Sequence, residues 1–306
     1  MVIDFSGESE NFFSYDPLNF IRQGGDDTII QNVEGLVEAI IPIPKSAREK
    51  FWMLSARRCL IGGILYYINM DGMDFNKMMT AIQSTPLSSL ISQIKSSNNA
   101  VAKMYINQLS SATDLSDNKM LLGIGEELSN SITKFAVNPT IRRVFSSENA
   151  DVVWEYLDDY NILLRAPEEK IKQYSPAIRL IVTQLINFLK RLPNKYGSND
   201  KSSQQMLMLL DEFAALGKIE VMANAVSTLR NKGVNIAIVV QSIAQIDMHY
   251  GELERRVLCD NFPFKLILQA NDAETQKYAS DLAGSREVEK VSKTATTDPL
   301  TKDIVS

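Results

Sequence analysis

The sequence is poor in the residues from which many active sites are made. One histidine, His249, and two cysteines, Cys59 and Cys259, are all that its 306 residues offer of those types. The cysteines lie far apart with no ligand spacing, so a His/Cys zinc site or a Ser–His–Asp triad has almost nothing to be built from. Both thiols are expected to be reduced and buried, as in a cytosolic compartment, and His249 to face solvent near a helix end. Positive charge is also scarce: the net charge is −5, so no overall basic field advertises nucleic-acid binding. Any contact with DNA must then come from a local patch or from assembly. The longest apolar stretches, such as CLIGGILYYI (Cys59 to Ile68), are too short to cross a bilayer, and no signal peptide opens the chain. Finally, no G-x-x-x-x-G-K-[ST] occurs; RQGGDDTII and IGGILYY hold glycines without the Gly-Lys-Ser/Thr that completes a phosphate loop.

What is present is ordinary globular composition, 45% hydrophobic and 23% charged, at a length that suggests two domains. MVIDF (Met1 to Phe5) reads as a buried strand with SGES as its turn, and YDPLNFI begins an irregular, proline-containing segment. From Ser46 to about Ser147 every signal is helical. Ser46 and Glu49 make a capping box ahead of FWMLSARRCLIGGILYYI, and Thr85-Pro86 and Asn138-Pro139 each place a cap residue before a proline. The basic pairs Arg57/Arg58 and Arg142/Arg143 in this block read as solvated helix faces.

Beyond it the period changes. YNILLRAP reads as a strand and Ser175-Pro176 as the cap of a helix with Ile178, Ile181, Leu185, Phe188 and Leu192 apolar, stopped by Pro193. PNKYGSNDKSSQQ is a polar loop and MLMLL a strand. Lys218 to Lys232 is a helix ended by Gly233, and VNIAIVV the next strand. SIAQIDMHY is a short helix, FKLILQA a further strand, Asp272 to Ala283 a last helix, and the tail from Gly284 a weak strand or frayed end. Strand–helix–strand repeats with strands apolar on both faces predict an α/β fold: a parallel sheet flanked by helices, interrupted by an all-helical block. The domains expected are 1–45 with 148–306, and 46–147.

In an open parallel sheet, functional side chains gather past the carboxyl ends of the strands. Asp211 and Glu212 stand there after MLMLL, and Gln241 stands there after VNIAIVV. An aspartate at such a tip can hold Mg²⁺ through water, and an adjacent glutamate can orient and deprotonate an attacking water. A glutamine on the next strand can sense a γ-phosphate. The acid pair alone is equally consistent with capping the following turn; Gln241 moves the reading to a nucleotide hydrolase. Arg230, in the last turn of the crossover helix, suits either the helix dipole or an arginine finger, and its spacing does not choose between them. The phosphate-cradling half of such a site is missing.

LLDEFAALGKIEVMANAVSTLRNKGVNIAIVVQSIAQIDMHYG resembles the Walker B to sensor region of the type IV secretion coupling proteins, the TraG/TraD-like conjugation ATPases. LCDNFPFKLILQANDAETQKYASDLAG is similar to that family's next strand and helix, and VIDFSGESENFFSYDPLNFIR and FWMLSARRCLIGGILYYI to its entry into an all-α domain. The resemblance implies a RecA-like P-loop NTPase domain interrupted by an all-α domain. It makes Asp211 and Glu212 the Walker B pair, Gln241 the sensor and Arg230 the trans-acting arginine. ATP and Mg²⁺ follow as cofactors of the complete protein, with Asp211 the metal-bearing residue, and neither is expected to bind tightly to this portion alone. Implied partners are further copies in a hexamer, a relaxase or relaxosome with single-stranded DNA or else effector proteins, and the channel ATPases and inner-membrane components. The implied place is the cytoplasmic face of the inner membrane, reached through an N-terminal anchor that, like the Walker A loop, would lie ahead of Met1. By that reading this chain is a truncated portion that does not hydrolyse ATP alone. A nucleotide-free recruitment module is the alternative, and a ring translocase of FtsK/HerA type a weaker one because it lacks a helical insertion here.

Overall fold

The computed structural model describes residues 1–8, 12–44, 50–109, 119–148, 152–194, 205–285, 296–297 and 304–305. The chain divides into two compact units, one of Met1–Gln241 with Gln245–Lys265, the other of Ser242–Ala244 with Leu266–Ser306.

The first unit opens on strand β1 (Val2–Asp4). The segment expected to be irregular is instead two helices, α1 (Pro17–Ile21) and α2 (Asp26–Ile40). Asp16 caps α1 by accepting from the Leu18 N–H, and Pro17 supplies the fixed φ of a first helical residue. In α2 the apolar positions Val33, Leu36, Val37 and Ile40 fall at helical spacing and are all buried. The glycine and aspartates ahead of them disguised the start.

From α3 (Lys50–Tyr67) onward the regular elements of this stretch are helices: α4 (Phe75–Ser84), α5 (Leu87–Ser96), α6 (Ala100–Ile106), α7 (Lys119–Val137) and α8 (Pro139–Val144). The capping box at Ser46 and Glu49 lies outside the described residues. Asn138 does cap α8, accepting from the N–H groups of Thr140 and Ile141. Thr85 does not cap α5: it ends α4, its hydroxyl turned back to the Ala81 carbonyl, and Pro86 itself occupies the cap position. Glycines let the helices of this block approach α3 closely. A Cβ on Gly62 would stand 3.0 Å from the Ile106 methyl of α6, and one on Gly63 would stand 3.3 Å from Ile82 of α4.

The remaining elements of the first unit are β2 (Leu163–Arg165), α9 (Ile171–Arg191), β3 (Met206–Leu210), α10 (Met222–Leu229), β4 (Val234–Ile238) and most of α11 (Ile243–Asp260). Two expected helix starts move. α9 begins before Ser175-Pro176, so Pro176 sits inside it; the carbonyl its missing N–H would have used, that of Lys172, accepts from the Ser175 hydroxyl at 3.2 Å. α10 begins at Met222 rather than Lys218, yet Ile219, Met222, Val226 and Leu229 are buried together as expected. Gly233 follows in the left-handed conformation, φ +77°.

The strands make two separate parallel pairs, β1 with β2 and β3 with β4, the latter in register from Met206↔Val234 to Leu210↔Ile238. Among the described residues no ladder joins them into the single sheet expected from the sequence. FKLILQA forms no strand either. A strand needs a neighbouring edge to satisfy its backbone, and among the described residues no strand pairs with this segment; Phe264, Leu266 and Leu268 are about nine-tenths exposed. β3 is likewise apolar on both faces but buried on one, with Leu207 and Leu209 exposed.

The second unit is built on α12 (Ala273–Ala283), capped by Asp272 through the Thr275 N–H, and includes the antiparallel pair β5 (Thr296–Thr297) and β6 (Ile304–Val305). Hydrogen bonding to Thr275 holds the Asp272 carboxyl below its ordinary range. Among the described residues no helix is long and apolar enough to cross a membrane.

Candidate nucleotide-hydrolase site

β3 delivers Asp211 and Glu212 past its carboxyl end, as the sequence suggested. Pairing with β4 continues beyond the strands, through Val239 N–H to the Leu210 carbonyl and Phe213 N–H to the Val239 carbonyl, both at 3.0 Å. That continuation holds the turn that follows β3 against the end of β4. Asp211 is exposed and its Oδ1 accepts from the Glu212 N–H at 3.0 Å. Gln241 reaches across from β4, its Nε2 donating to Glu212 Oε1 at 3.0 Å. Three of the four residues singled out from sequence therefore meet.

Glu212 is the one non-glycine residue at positive φ among the described residues, φ +48° and ψ +40°. For an L-residue this conformation costs roughly 1–2 kcal/mol, and such strain concentrates where function requires it. Glu212→Gly is expected to raise stability by about 1 kcal/mol, read from urea unfolding midpoints. Glu212→Ala, which keeps a Cβ, is not expected to do so.

Arg230 is not brought to this cluster. It is exposed, in a single 3₁₀ turn before β4, whereas Gln241 lies after β4. The five residues of that strand alone separate the two ends by roughly 15 Å. Within one chain Arg230 does not reach the acid pair.

The segment behind the acid pair is pinned by residues that sequence reasoning passed over. Phe213 is fully buried and stacks on Tyr250, ring centroids 5.8 Å apart. The Tyr250 hydroxyl accepts from the Ile219 N–H at 3.0 Å, and burial pushes its pKa up. Arg179, inside α9 and 6% exposed, donates through Nε to the Ala39 carbonyl at 2.6 Å and through Nη1 to the Leu216 carbonyl at 2.8 Å. Burial lowers its pKa to about 10, so it stays charged at neutral pH. Glu220 accepts from Arg57 of α3 and from the Ile43 N–H. Arg57 is thus part of a mostly buried ion pair and not of a solvated face, while exposed Arg58 fits that reading. Arg179 was legible as a charge amid the apolar run Ile178-Arg179-Leu180-Ile181; Tyr250 and Glu220 carried no comparable signal.

His249 is half-buried and not solvent-facing. Burial, then the nearby Arg179 charge, lowers its pKa, opposed by a hydrogen bond with the Ala214 backbone. Both cysteines are buried thiols, and burial raises the Cys59 pKa to about 12. Among the described residues no group of three His, Cys, Asp or Glu gathers as a metal cage. One exposed carboxylate does fit Mg²⁺, which keeps its waters and binds through one or two carboxylates and nucleotide phosphates.

The family model for type IV secretory system conjugative DNA transfer matches residues 1–304. The chain belongs to that family. Among curated relatives it is 27% identical over 124 residues to Protein VirD4 of Rhizobium radiobacter, covering 40% of this chain and 17% of the relative. It is 22% identical over 169 residues to the type IV secretion system-coupling protein VirD4 of Bartonella quintana (strain Toulouse), covering 49% and 26%. The chain thus spans about a quarter or less of these relatives. Its fold is that of plasmid coupling protein TrwB, solved in complex with ADP and Mg²⁺: TM-score 0.63 at 16% identity, over 85% of this chain and 57% of that one. TrwB in complex with the non-hydrolysable GTP analogue GDPNP superposes equally well, TM-score 0.63 at 15% identity, with the same coverage. The RecA-like α/β class interrupted by helices follows from these matches, even though two short parallel pairs represent the sheet among the described residues.

Proposed function

We propose that this chain is the cytoplasmic portion of a conjugative coupling protein, which recruits a DNA–relaxase or protein substrate and couples ATP hydrolysis to its transfer. The observation that carries the reading is the meeting of Asp211, Glu212 and Gln241 at the tips of β3 and β4. Asp211 would hold Mg²⁺ through water, and bound Mg²⁺ would neutralise charge on the nucleotide phosphates. Glu212 would orient the attacking water and take its proton. Gln241 holds the Glu212 side chain in place and would exchange that hydrogen bond for one to the γ-phosphate. Arg230, remote from its own acid pair, would serve the site of a neighbouring copy in a hexamer.

On this reading residues 1–45 and 148–306 form the nucleotide-binding domain and 46–147 the substrate-engaging all-α domain. The assembly would sit at the inner membrane beside the secretion channel. The sequence holds no phosphate loop, so the chain alone is proposed not to turn over ATP. That same absence favours the second reading, a nucleotide-free recruitment module.

Paramagnetic broadening by Mn²⁺ tests the site. In NMR spectra of the chain, sub-stoichiometric Mn²⁺ with ADP should broaden the amides of residues 210–213 and 241 first. Asp211→Asn should abolish that selectivity and Glu212→Gln should retain it. Broadening centred elsewhere, or untouched by Asp211→Asn, sinks the assignment.

A further inference from the structure

Arg142 and Arg143 end α8, and the sequence alone made them a solvated pair. In the fold they are neither free nor merely solvated. Arg142 Nη1 donates to the Thr80 hydroxyl at 2.8 Å and to the Ala136 carbonyl at 2.7 Å. Arg143 Nη2 donates to the Asp4 carbonyl at 2.8 Å, and its guanidinium carbon lies 4.4 Å over the Phe12 ring. Each guanidinium is therefore held at one end, with N–H groups left over at the other. Together they line a cavity of about 660 Å³, a size typical of small-ligand sites. Phe12, Asn76 and Ser146 line it too, and among the described lining residues none is acidic.

Asn76 braces the helix end that carries the pair. Its Nδ2 donates to the carbonyls of Arg142 and Phe145, at 2.8 and 3.3 Å, which fixes the orientation of the amide. Its Oδ1 is then buried without a hydrogen-bond partner. A buried acceptor left unsatisfied costs about 1–3 kcal/mol. Two pre-positioned guanidiniums favour an anion whose oxygens are planar or tetrahedral, phosphate above all. In a chain of net charge −5, this local basic concavity stands against the general field.

We propose that this cavity binds a phosphate ester, with Arg142 and Arg143 on the phosphate oxygens. The site is separate from the Asp211 cluster and does not depend on the hydrolase reading. The same chemistry is offered by a free nucleotide and by the backbone of single-stranded DNA.

Fluorescence anisotropy with a labelled twelve-residue oligothymidylate, in competition with thymidine monophosphate and inorganic phosphate, tests it on the full chain. Ser146→Glu places a carboxylate at the cavity without removing either arginine, and Arg142→Gln keeps a donor for Thr80 and Ala136. Each should weaken binding at least tenfold with the melting temperature unchanged, while Asp211→Asn should leave binding as it is. Displacement by the monophosphate at comparable concentration marks a free phosphate ester as ligand, and displacement only by unlabelled strand marks DNA. Failure of every probe to bind, or equal affinity of Ser146→Glu and the parent chain, overturns the proposal.

Discussion

Replacing Arg179 by methionine is expected to destabilise the fold by about 3 kcal/mol and to loosen the turn behind the acid pair. The guanidinium is the shared donor for two carbonyls from distant parts of the chain, Ala39 at the end of α2 and Leu216 in the turn after Glu212. Both of those residues are 3% exposed, so water cannot replace the lost donors without opening the structure. Methionine has similar length and apolar character, which isolates the hydrogen bonds from packing. Desolvation of the charge, visible in its lowered pKa, offsets part of the gain and keeps the expected loss from being larger. Arg179→Lys, able to reach one carbonyl, should fall between the two. Denaturant unfolding gives the loss. Hydrogen exchange at 213–219 should show faster opening in Arg179→Met than in a surface control of equal net charge change.

Phe135→Ala is expected to cost about 3–5 kcal/mol. Phe135 of α7 is fully buried and packs with Phe75 of α4 and Phe145, which follows α8. Its ring lies stacked with Phe145 at 6.1 Å and edge-on to Phe75 at 6.0 Å, and the latter two meet edge-on at 5.2 Å. Truncation removes the area of one ring and the geometry of two pairs, and leaves a cavity that its two aromatic neighbours cannot easily close. Phe135→Leu should recover more than half the loss. A cost below about 1 kcal/mol would mean that the helices repack freely around the gap.

The candidate site was more legible than the scaffold that holds it. Carboxylates after an apolar strand, and a glutamine after the next, could be placed because strand tips have few alternatives. Their meeting followed from a single helical crossover. The conformation of Glu212 could not be foreseen, since a positive φ on glutamate is imposed by the β3–β4 ladder running on through Phe213 and Val239. Helical stretches such as FWMLSARRCLIGGILYYI, which forms α3, were legible. The pattern was missed in α2, where Gly24, Gly25, Asp26 and Asp27 imitate a loop, and at Pro176, where a serine hydroxyl repairs the helix from outside the backbone. FKLILQA has every local mark of a strand and lacks only a partner edge, which is a property of the rest of the molecule. Arg142 and Arg143 likewise changed meaning through contacts with Asp4, Phe12 and Thr80, more than 60 residues away.

The central claim is that the chain holds the acidic half of an ATP-hydrolysing site and no phosphate cradle of its own. Steady-state phosphate release from MgATP by the purified chain tests it most directly, with Glu212→Gln run in parallel. No turnover above background is expected for either protein. Turnover by the parent chain that Glu212→Gln abolishes would contradict it.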